Sequence, residues 1–298
     1  MKVNEIDELK LLESLSDIYI CIFLYDVKND DYHAIKTNKY LDMWAAEPVG
    51  ALNKTINVIK NITMPEHLGA MMDFVDLRTL NERMNDSSNI SMVFAGRING
   101  WCKARFIAVD RDEEGNLWHA LYTVECIDEE KRRENQLTYL AQTDLMTGLT
   151  NRGHGESLIR EFLKNGQEGA FCLFDVDHFK SINDLYGHGV GDAVLIAIAE
   201  AMKSVKRNSD IAMRLGGDEF AMYLTDIMDE EEVDEYIQRL FDRVEMISHN
   251  IPEVREPICV SLGVAFYSEG SGFDELYKKA DQGVYTGKKI KGSSITFS

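Results

Sequence analysis

The sequence predicts a mixed α/β chain, of α+β type, in two units. An N-terminal antiparallel sheet with helices over one face leads through a charged helix into a C-terminal unit, whose mixed central sheet is flanked by helices. Three observations carry this. The 298 residues are 45% hydrophobic and 28% charged, a globular balance with enough chain for two cores. Before residue 127, strand-like runs are joined by tight turns, the connection antiparallel neighbours use. After residue 144, helix-like and strand-like segments alternate.

Leu9, Leu12 and Leu15 fall at helical spacing and predict a short amphipathic helix over the first dozen residues. The apolar run 18–27 and the segment 32–36 flank Lys28-Asn29-Asp30-Asp31, a hairpin pattern. Residues 38–85 read as mainly helical, with Met71, Met72, Phe74, Val75 and Leu77 as core. Three strands follow at 90–98, 101–111 and 116–127, turned by Asn99-Gly100 and Glu114-Gly115. Residues 1–126 thus hold two strands, a helical middle and a three-stranded meander. His33, His67 and His119 stand alone, so no haem, flavin or metal site is read here. Residues 127–143 are dense in charge and free of Gly and Pro, which predicts a connecting helix. Its partial stripe of Ile127, Leu137, Leu140 and Ala141 suits pairing across a dimer and suits a solvated connector equally.

Residues 144–298 form the second unit. A turn and helix open it, and a buried strand at 170–177 follows. Next come a helix at 190–205, a hairpin of strands at 211–215 and 219–226, and a charged helix at 229–249. A strand at 257–267, a helix at 273–289 and a final short strand close the chain.

The 51 acids outnumber the 32 bases, for a net charge of −19. Such a surface repels phosphate backbones and argues against nucleic-acid binding. A phosphorylated ligand would need divalent metal beside it. Cys21, Cys102, Cys126, Cys172 and Cys259 are odd in number and widely spaced, without a C-x-x-C. They read as small buried hydrophobes in a reducing cytoplasm, not as a disulfide framework or zinc site. The N-terminus lacks a signal-type apolar core, and no apolar run is long enough to span a bilayer, so no membrane partner is expected.

Two acidic clusters carry the chemistry. Asp175 and Asp177 end an apolar strand and, two residues apart, project to one face. Acids at the end of a buried strand are costly unless paired or metal-bound. Asp218 and Glu219 directly follow Gly216-Gly217, which predicts a tight hairpin turn open to close ligand approach. Together they make a hard-oxygen site of the kind Mg²⁺ prefers beside phosphates.

These residues resemble the GGDEF domain of diguanylate cyclases. The signature Arg214-Leu215-Gly216-Gly217-Asp218-Glu219-Phe220 is complete, as is the block Asp175-Val176-Asp177-His178-Phe179-Lys180-Ser181-Ile182-Asn183-Asp184. Tyr186-Gly187-His188, Gly191-Asp192 and the opening Asp144-Leu145-Met146-Thr147-Gly148-Leu149-Thr150-Asn151-Arg152 also match. The element order of the first unit resembles a PAS-type sensor domain. The resemblance implies a homodimer that condenses two GTP into cyclic di-GMP and releases pyrophosphate. It implies that Asp175 and Asp218, with the Val176 carbonyl, bind Mg²⁺ or Mn²⁺. Asp218 or Glu219 would help deprotonate the attacking hydroxyl. Phe179 and Lys180 would offer backbone N–H groups, and Lys288 its ammonium, to the phosphates. Asn183 and Asp192 would read guanine. Arg207 and Asp210 would form a product-inhibition site, completed by Arg239 or Arg243. The chain departs from the family where Gly292 stands at a usual Arg, with Lys291 as a substitute point charge, and Gly153 at another. Gly283 and Gly287 each cost the last helix up to about 1 kcal/mol against Ala. A second reading is therefore carried alongside: a non-catalytic receptor for GTP or cyclic di-GMP.

Overall fold

The computed structural model describes residues 18–45, 50–248, 251–254 and 257–298. The helix expected in the first dozen residues lies outside them. The chain divides into two compact units, Met1–Asn135 and Gln136–Ser298.

In the first unit, β1 (Tyr19–Asp26) and β2 (Asp31–Lys36) make the expected hairpin. Asp26 closes its turn by accepting from the backbone N–H and the carboxamide of Asn29. Helices α1 (Lys39–Ala45), α2 (Ala51–Ile62), α3 (Pro65–Phe74) and α4 (Leu80–Arg83) fill the helical stretch. The meander β3 (Asn89–Gly96), β4 (Gly100–Arg111) and β5 (Leu117–Cys126) completes an antiparallel sheet in the order β2-β1-β5-β4-β3. The sheet buries Tyr25, Phe94, Phe106 and Tyr122 against Met71, Phe74 and Leu80 of the helical stretch. Met71, Phe74, Val75 and Leu77 are buried as expected, and Met72 partly so. At the Asn99-Gly100 turn, Gly100 takes φ 65° and a β-carbon on it would lie 2.3 Å from Asp128 Oδ1. That carboxylate accepts the Trp101 N–H, so the turn needs glycine for conformation and for space. Helix α5 (Asp128–Gln142) forms where the charged run predicts a helix, spans the division at Asn135 and has no buried residue.

The second unit runs β6 (Thr150–Asn151), α6 (Arg152–Lys164), β7 (Gly169–Val176), α7 (Phe179–Tyr186) and α8 (His188–Val205). It continues with β8 (Ile211–Gly216), β9 (Glu219–Thr225), α9 (Glu230–Ser248), β10 (Val260–Phe266), α10 (Phe273–Gly287) and β11 (Ser294–Phe297). The sheet order is β11-β10-β7-β9-β8-β6. It is mixed: β10–β11 and β6–β8 are parallel, the rest antiparallel. Strand β7 is buried on both faces, which explains its continuous apolar run. Ala170, Cys172, Phe174 and Val176 pack beneath α8 and α9, while Phe171 and Leu173 pack beneath α6 and α10. Alternation then sends Asp175 to the α6–α10 face at the open end of the sheet. The same alternation in β9 sends Glu219 to that face, with Ala221 and Tyr223 behind it.

Helix α10 reaches β10 at backbone distance. A β-carbon on Gly263 would lie 1.8 Å from the Ala280 carbonyl oxygen, and one on Gly283 2.8 Å from Gly263 Cα. The helix glycines that propensity disfavours thus let α10 seat on the strand. The thiols follow expectation only in part. Cys21, Cys102 and Cys172 are buried, but Cys259 is half-buried and Cys126 is exposed. Cys126 is the last residue of β5, where the covered face runs out. Among the described residues no helix is long and apolar enough to cross a membrane.

Candidate active site

The antiparallel register sets Asp175 opposite Glu219. One step on, the Val176 N–H donates to the Asp218 carbonyl at 3.3 Å. The hairpin between β8 and β9 turns through Gly216 (φ 143°) and Gly217 (φ 56°), as the glycine pair predicts. Arg214 braces that turn. Its Nε and Nη2 donate to the Gly217 carbonyl at 3.2 and 2.7 Å, and Nη1 pairs with Asp144 at 3.2 Å. Asp144 also accepts from the Thr147 N–H and hydroxyl at 2.9 and 2.6 Å. Burial pulls the Asp144 carboxyl upward, but the Thr147 hydrogen bonds and the Arg214 guanidinium outweigh it and hold it below its ordinary value. A depressed carboxyl stabilises the fold above its unfolded pKa, about 3.9, and that contribution is lost as pH falls through the lower folded value. The expected result is that Asp144→Asn is less stable than the parent near neutrality and that the gap narrows below about pH 4. Urea midpoints across pH check this, and a gap independent of pH contradicts it.

Lys288, the C-cap of α10, brings its ammonium to 2.7 Å from Asp175 Oδ1. The contact is an ion pair off the hydrogen-bonding direction, because that buried oxygen has no hydrogen-bond partner. Burial pushes the Asp175 carboxyl up; Lys288 pulls against this, and Asp218 and Asp177 add to it. Burial likewise raises Glu219, followed by the charges of Asp175, Asp218 and Asp281. Asp177 is engaged by Ser261, whose hydroxyl donates to it at 2.7 Å. A cleft of about 480 Å³ is lined by Asp175, Glu219, Asp281, Tyr285 and Lys288. A second, of about 690 Å³, is lined by Asp177, His178, Leu185, Lys288, Lys291 and Gly292. Lys288 belongs to both.

Among the described residues no three His, Cys, Asp or Glu side chains are grouped to cage a metal ion. Asp175 and Asp218 nevertheless suit Mg²⁺. Asp175 offers a buried oxygen whose ion-pair partner is the Lys288 ammonium, and Mg²⁺ takes only one or two carboxylates where phosphates and water complete its shell.

Beyond β7, His178 takes a left-handed φ of 56°, a conformation His adopts more readily than most residues, and turns the chain into α7. Phe179 and Lys180 open that helix, where N–H groups have no intrahelical acceptor. The Asn183 carboxamide lies against Gly191, where a β-carbon would sit 2.0 Å from its Oδ1. Asp192, exposed, is the next residue, so the structure makes Asn183 and Asp192 neighbours. Neither lines the two clefts above. Arg207 and Asp210 lie at the opposite end of β8 from the hairpin, about 20 Å along the strand.

Asp210 differs from its sequence expectation. It is 4% exposed, and Oδ2 accepts from the Arg207 N–H at 2.8 Å and the Tyr236 hydroxyl at 2.9 Å. Its Oδ1 accepts from the Thr225 N–H and hydroxyl at 3.2 and 3.3 Å. A carboxylate so occupied staples β8 to β9 and α9. Arg207 is exposed, with Arg207 and Arg239 5.9 and 5.2 Å from the Tyr236 ring. Sequence reasoning passed over Arg214 as a brace, Asp144 as its partner, and Asp281. The last carried a readable signal, since it lies two helical turns before Lys288. Gly292 takes φ 88°, where an arginine would be strained, so backbone shape accounts for its identity.

Residues 141–294 match the family model described as Diguanylate cyclase, GGDEF domain. Diguanylate cyclase DgcM of Escherichia coli K12 is 36% identical over 174 residues, 56% of this chain and 41% of that protein. Probable diguanylate cyclase DgcC of the same strain is 33% identical over 178 residues, 58% of this chain and 46% of that protein. The chain thus spans less than half the length of these relatives. Diguanylate cyclase SiaD of Pseudomonas aeruginosa, solved with its activator SiaC, superposes with a TM-score of 0.51 at 28% identity, over 57% of this chain and 66% of that one. The coiled coil and GGDEF domain of Caulobacter crescentus DgcB, solved with c-di-GMP, gives 0.51 at 24% identity, over 58% and 93%, a likeness of fold. With its strand-paired acids, its braced glycine turn and a family match over residues 141–294, this chain belongs to the GGDEF diguanylate cyclase family.

Proposed function

We propose that this chain is itself a diguanylate cyclase, a cytoplasmic homodimer in which each copy holds one GTP and the N-terminal unit serves as a PAS-like sensor. The pairing of Asp175 with Glu219, flanked by Asp218 and Lys288, carries this reading, because it gathers acids that would hold a divalent metal and one ammonium where a triphosphate must be neutralised. The 3′-hydroxyl of each nucleotide attacks the α-phosphate of the other; a P–O bond forms, the α–β bridge breaks and pyrophosphate leaves. Most of the acceleration in such chemistry comes from positioning and charge stabilisation. Phe179 and Lys180 give N–H groups to the terminal phosphates, and Lys288 exchanges Asp175 for phosphate. Asp218 or Glu219 takes the hydroxyl proton, and the raised carboxyl of Glu219 suits that task. Asn183 and Asp192 accept from the N1–H and amine of guanine, a donor pair adenine lacks. Held by Asp175, Asp218 and the Val176 carbonyl, Mg²⁺ or Mn²⁺ would supply positive charge to the phosphates.

Incubation with GTP and Mg²⁺, followed by chromatography, tests this, with ATP as the competitor that should lose. Gly292 at the usual arginine position favours the receptor reading, and absence of cyclic product at high protein concentration would select it. Product inhibition rests on Arg207 in this scheme, with phosphate as its partner. Arg207→Ala is expected to relieve inhibition with little change in initial rate. Asp210→Ala should instead destabilise the unit by about 3 kcal/mol, since it strips a buried hydrogen-bonded node. Inhibition curves and urea melts separate the two, and an Asp210→Ala variant of full stability contradicts the staple.

A further inference from the structure

Two thiols of the first unit stand face to face, and the catalytic scheme uses neither. Cys102 on β4 pairs in register with Cys126 on β5. One step along the ladder, the Ile127 N–H donates to the Trp101 carbonyl at 2.8 Å. Hydrogen-bonded and non-hydrogen-bonded pairs alternate in an antiparallel ladder, so Cys102 and Cys126 form a non-hydrogen-bonded pair. In such a pair the Cα atoms stand about 4.5 Å apart and the side chains are at their closest. A disulfide spans Cα separations of about 4.4–6.8 Å. Both side chains leave the sheet on one side, Cys102 in line with the buried Ala104 and Phe106, and Cys126 in line with Tyr122 and Val124.

The two thiols converge on one turn. Cys102 donates to the Gly100 carbonyl at 3.7 Å and Cys126 to the Asn99 carbonyl at 3.3 Å, and these are consecutive residues between β3 and β4. Their surroundings differ. Cys102 is 2% exposed, and burial pushes its thiol up to about 12, with the neighbouring Cys126 adding to the shift. Cys126 is exposed, so an oxidant in solution meets it first. The third thiol of this unit is out of reach. Cys21 on β1 pairs with Val124, which leaves it diagonal to Cys126 at about 7–8 Å. Strand β5 stands between β1 and β4, so Cys102 is about 10 Å from Cys21, and a bridge allows only about 7 Å.

We propose that Cys102 and Cys126 are a reversible redox pair, oxidised by hydrogen peroxide to a cross-strand disulfide and reopened by thiols. The Cys126 thiolate attacks a peroxide oxygen; the O–O bond breaks, hydroxide leaves and is protonated to water, and Cys126 becomes a sulfenic acid. The Cys102 sulfur then attacks the Cys126 sulfur; an S–S bond forms, the S–O bond breaks, and a second water carries off the hydroxyl and the thiol proton. Two electrons pass from the thiols to one hydrogen peroxide. A bridge with one sulfur at the surface belongs to the labile class, so two equivalents of a small thiol restore both cysteines and leave as their own disulfide. The bond closes just before α5, beside the Trp101 N–H that Asp128 accepts.

Mass spectrometry of the full chain tests this. After one equivalent of hydrogen peroxide the parent should lose the mass of two hydrogen atoms, its digest should join the Cys102 and Cys126 peptides, and dithiothreitol should reverse both. Cys126→Ser, at an exposed position, should yield no linked peptide. Cys102→Ala should hold Cys126 as a sulfenic acid that dimedone traps, because no second thiol resolves it. Cys126→Ser keeps the test decisive if Cys102→Ala misfolds. Oxidation of Cys126 in the parent without the link to Cys102, a disulfide joining Cys126 of two copies, or a bridge that persists in Cys126→Ser overturns the proposal. These readouts are covalent and separate from cyclase activity, which the GTP assay reads.

Discussion

Asp218→Ala is expected to lose cyclic di-GMP formation by about 10³-fold or more, the scale for removing a group that stabilises transition-state charge, while melting at or above the parent temperature in EDTA. Both halves follow from the same placement. The side chain sits at a glycine-supported turn and is only half-buried, so the fold does not rest on it. Its charge, however, raises both Asp175 and Glu219. A carboxyl raised in the folded state is penalised as pH climbs from the unfolded pKa through the folded one. Taking away one negative neighbour reduces that penalty near neutrality, so stability holds or rises while function goes. This is the trade expected where like charges are gathered for a ligand. Product analysis with GTP and Mg²⁺, beside thermal melts from pH 4 to pH 8, decides it. Near-normal turnover would sink the metal assignment, and a large drop in melting temperature would mean Asp218 holds the hairpin.

The second large effect is structural. Gly263→Ala should destabilise the C-terminal unit by about 3 kcal/mol or more, at or beyond the upper end for overpacking. The added carbon would meet the Ala280 carbonyl at 1.8 Å, and backbone cannot swing aside as a side-chain tip can. Gly69→Ala is the matched control. That glycine lies within α3, and nothing stands within 4 Å of its β-carbon position. It should gain about 0.5–1 kcal/mol from helix propensity. Urea melts of the pair test the close approach directly, and two alanine variants of equal stability would refute it.

Much of this was readable in the chain itself. Apolar runs and glycine-bearing turns located the principal strands, because burial on both faces leaves a continuous hydrophobic stretch in β7 and alternation leaves its mark in β5. The two acidic clusters were legible because strand periodicity and a Gly-Gly turn fix where such side chains go. What stayed hidden depended on partners far along the chain. Nothing near Asp210 announces Thr225 or Tyr236, so its part in tying β8 to β9 and α9 could not be read from the Arg-x-x-Asp spacing. The glycines of α10 looked like a weakness because propensity is blind to the strand beneath. Strand β6, at two residues, is too short to carry a pattern, and α7 lies within a segment whose residues spoke first of chemistry.

The bare contact between Gly263 and Gly283 has a mechanical sequel. At that point no side chain separates helix from strand, so the crossing is fixed by backbone shape. Lys288, at the C-terminal end of that helix, is thereby anchored to the strand at its base, and four methylenes carry its ammonium to Asp175. The ammonium is thus presented from a fixed point on the sheet edge.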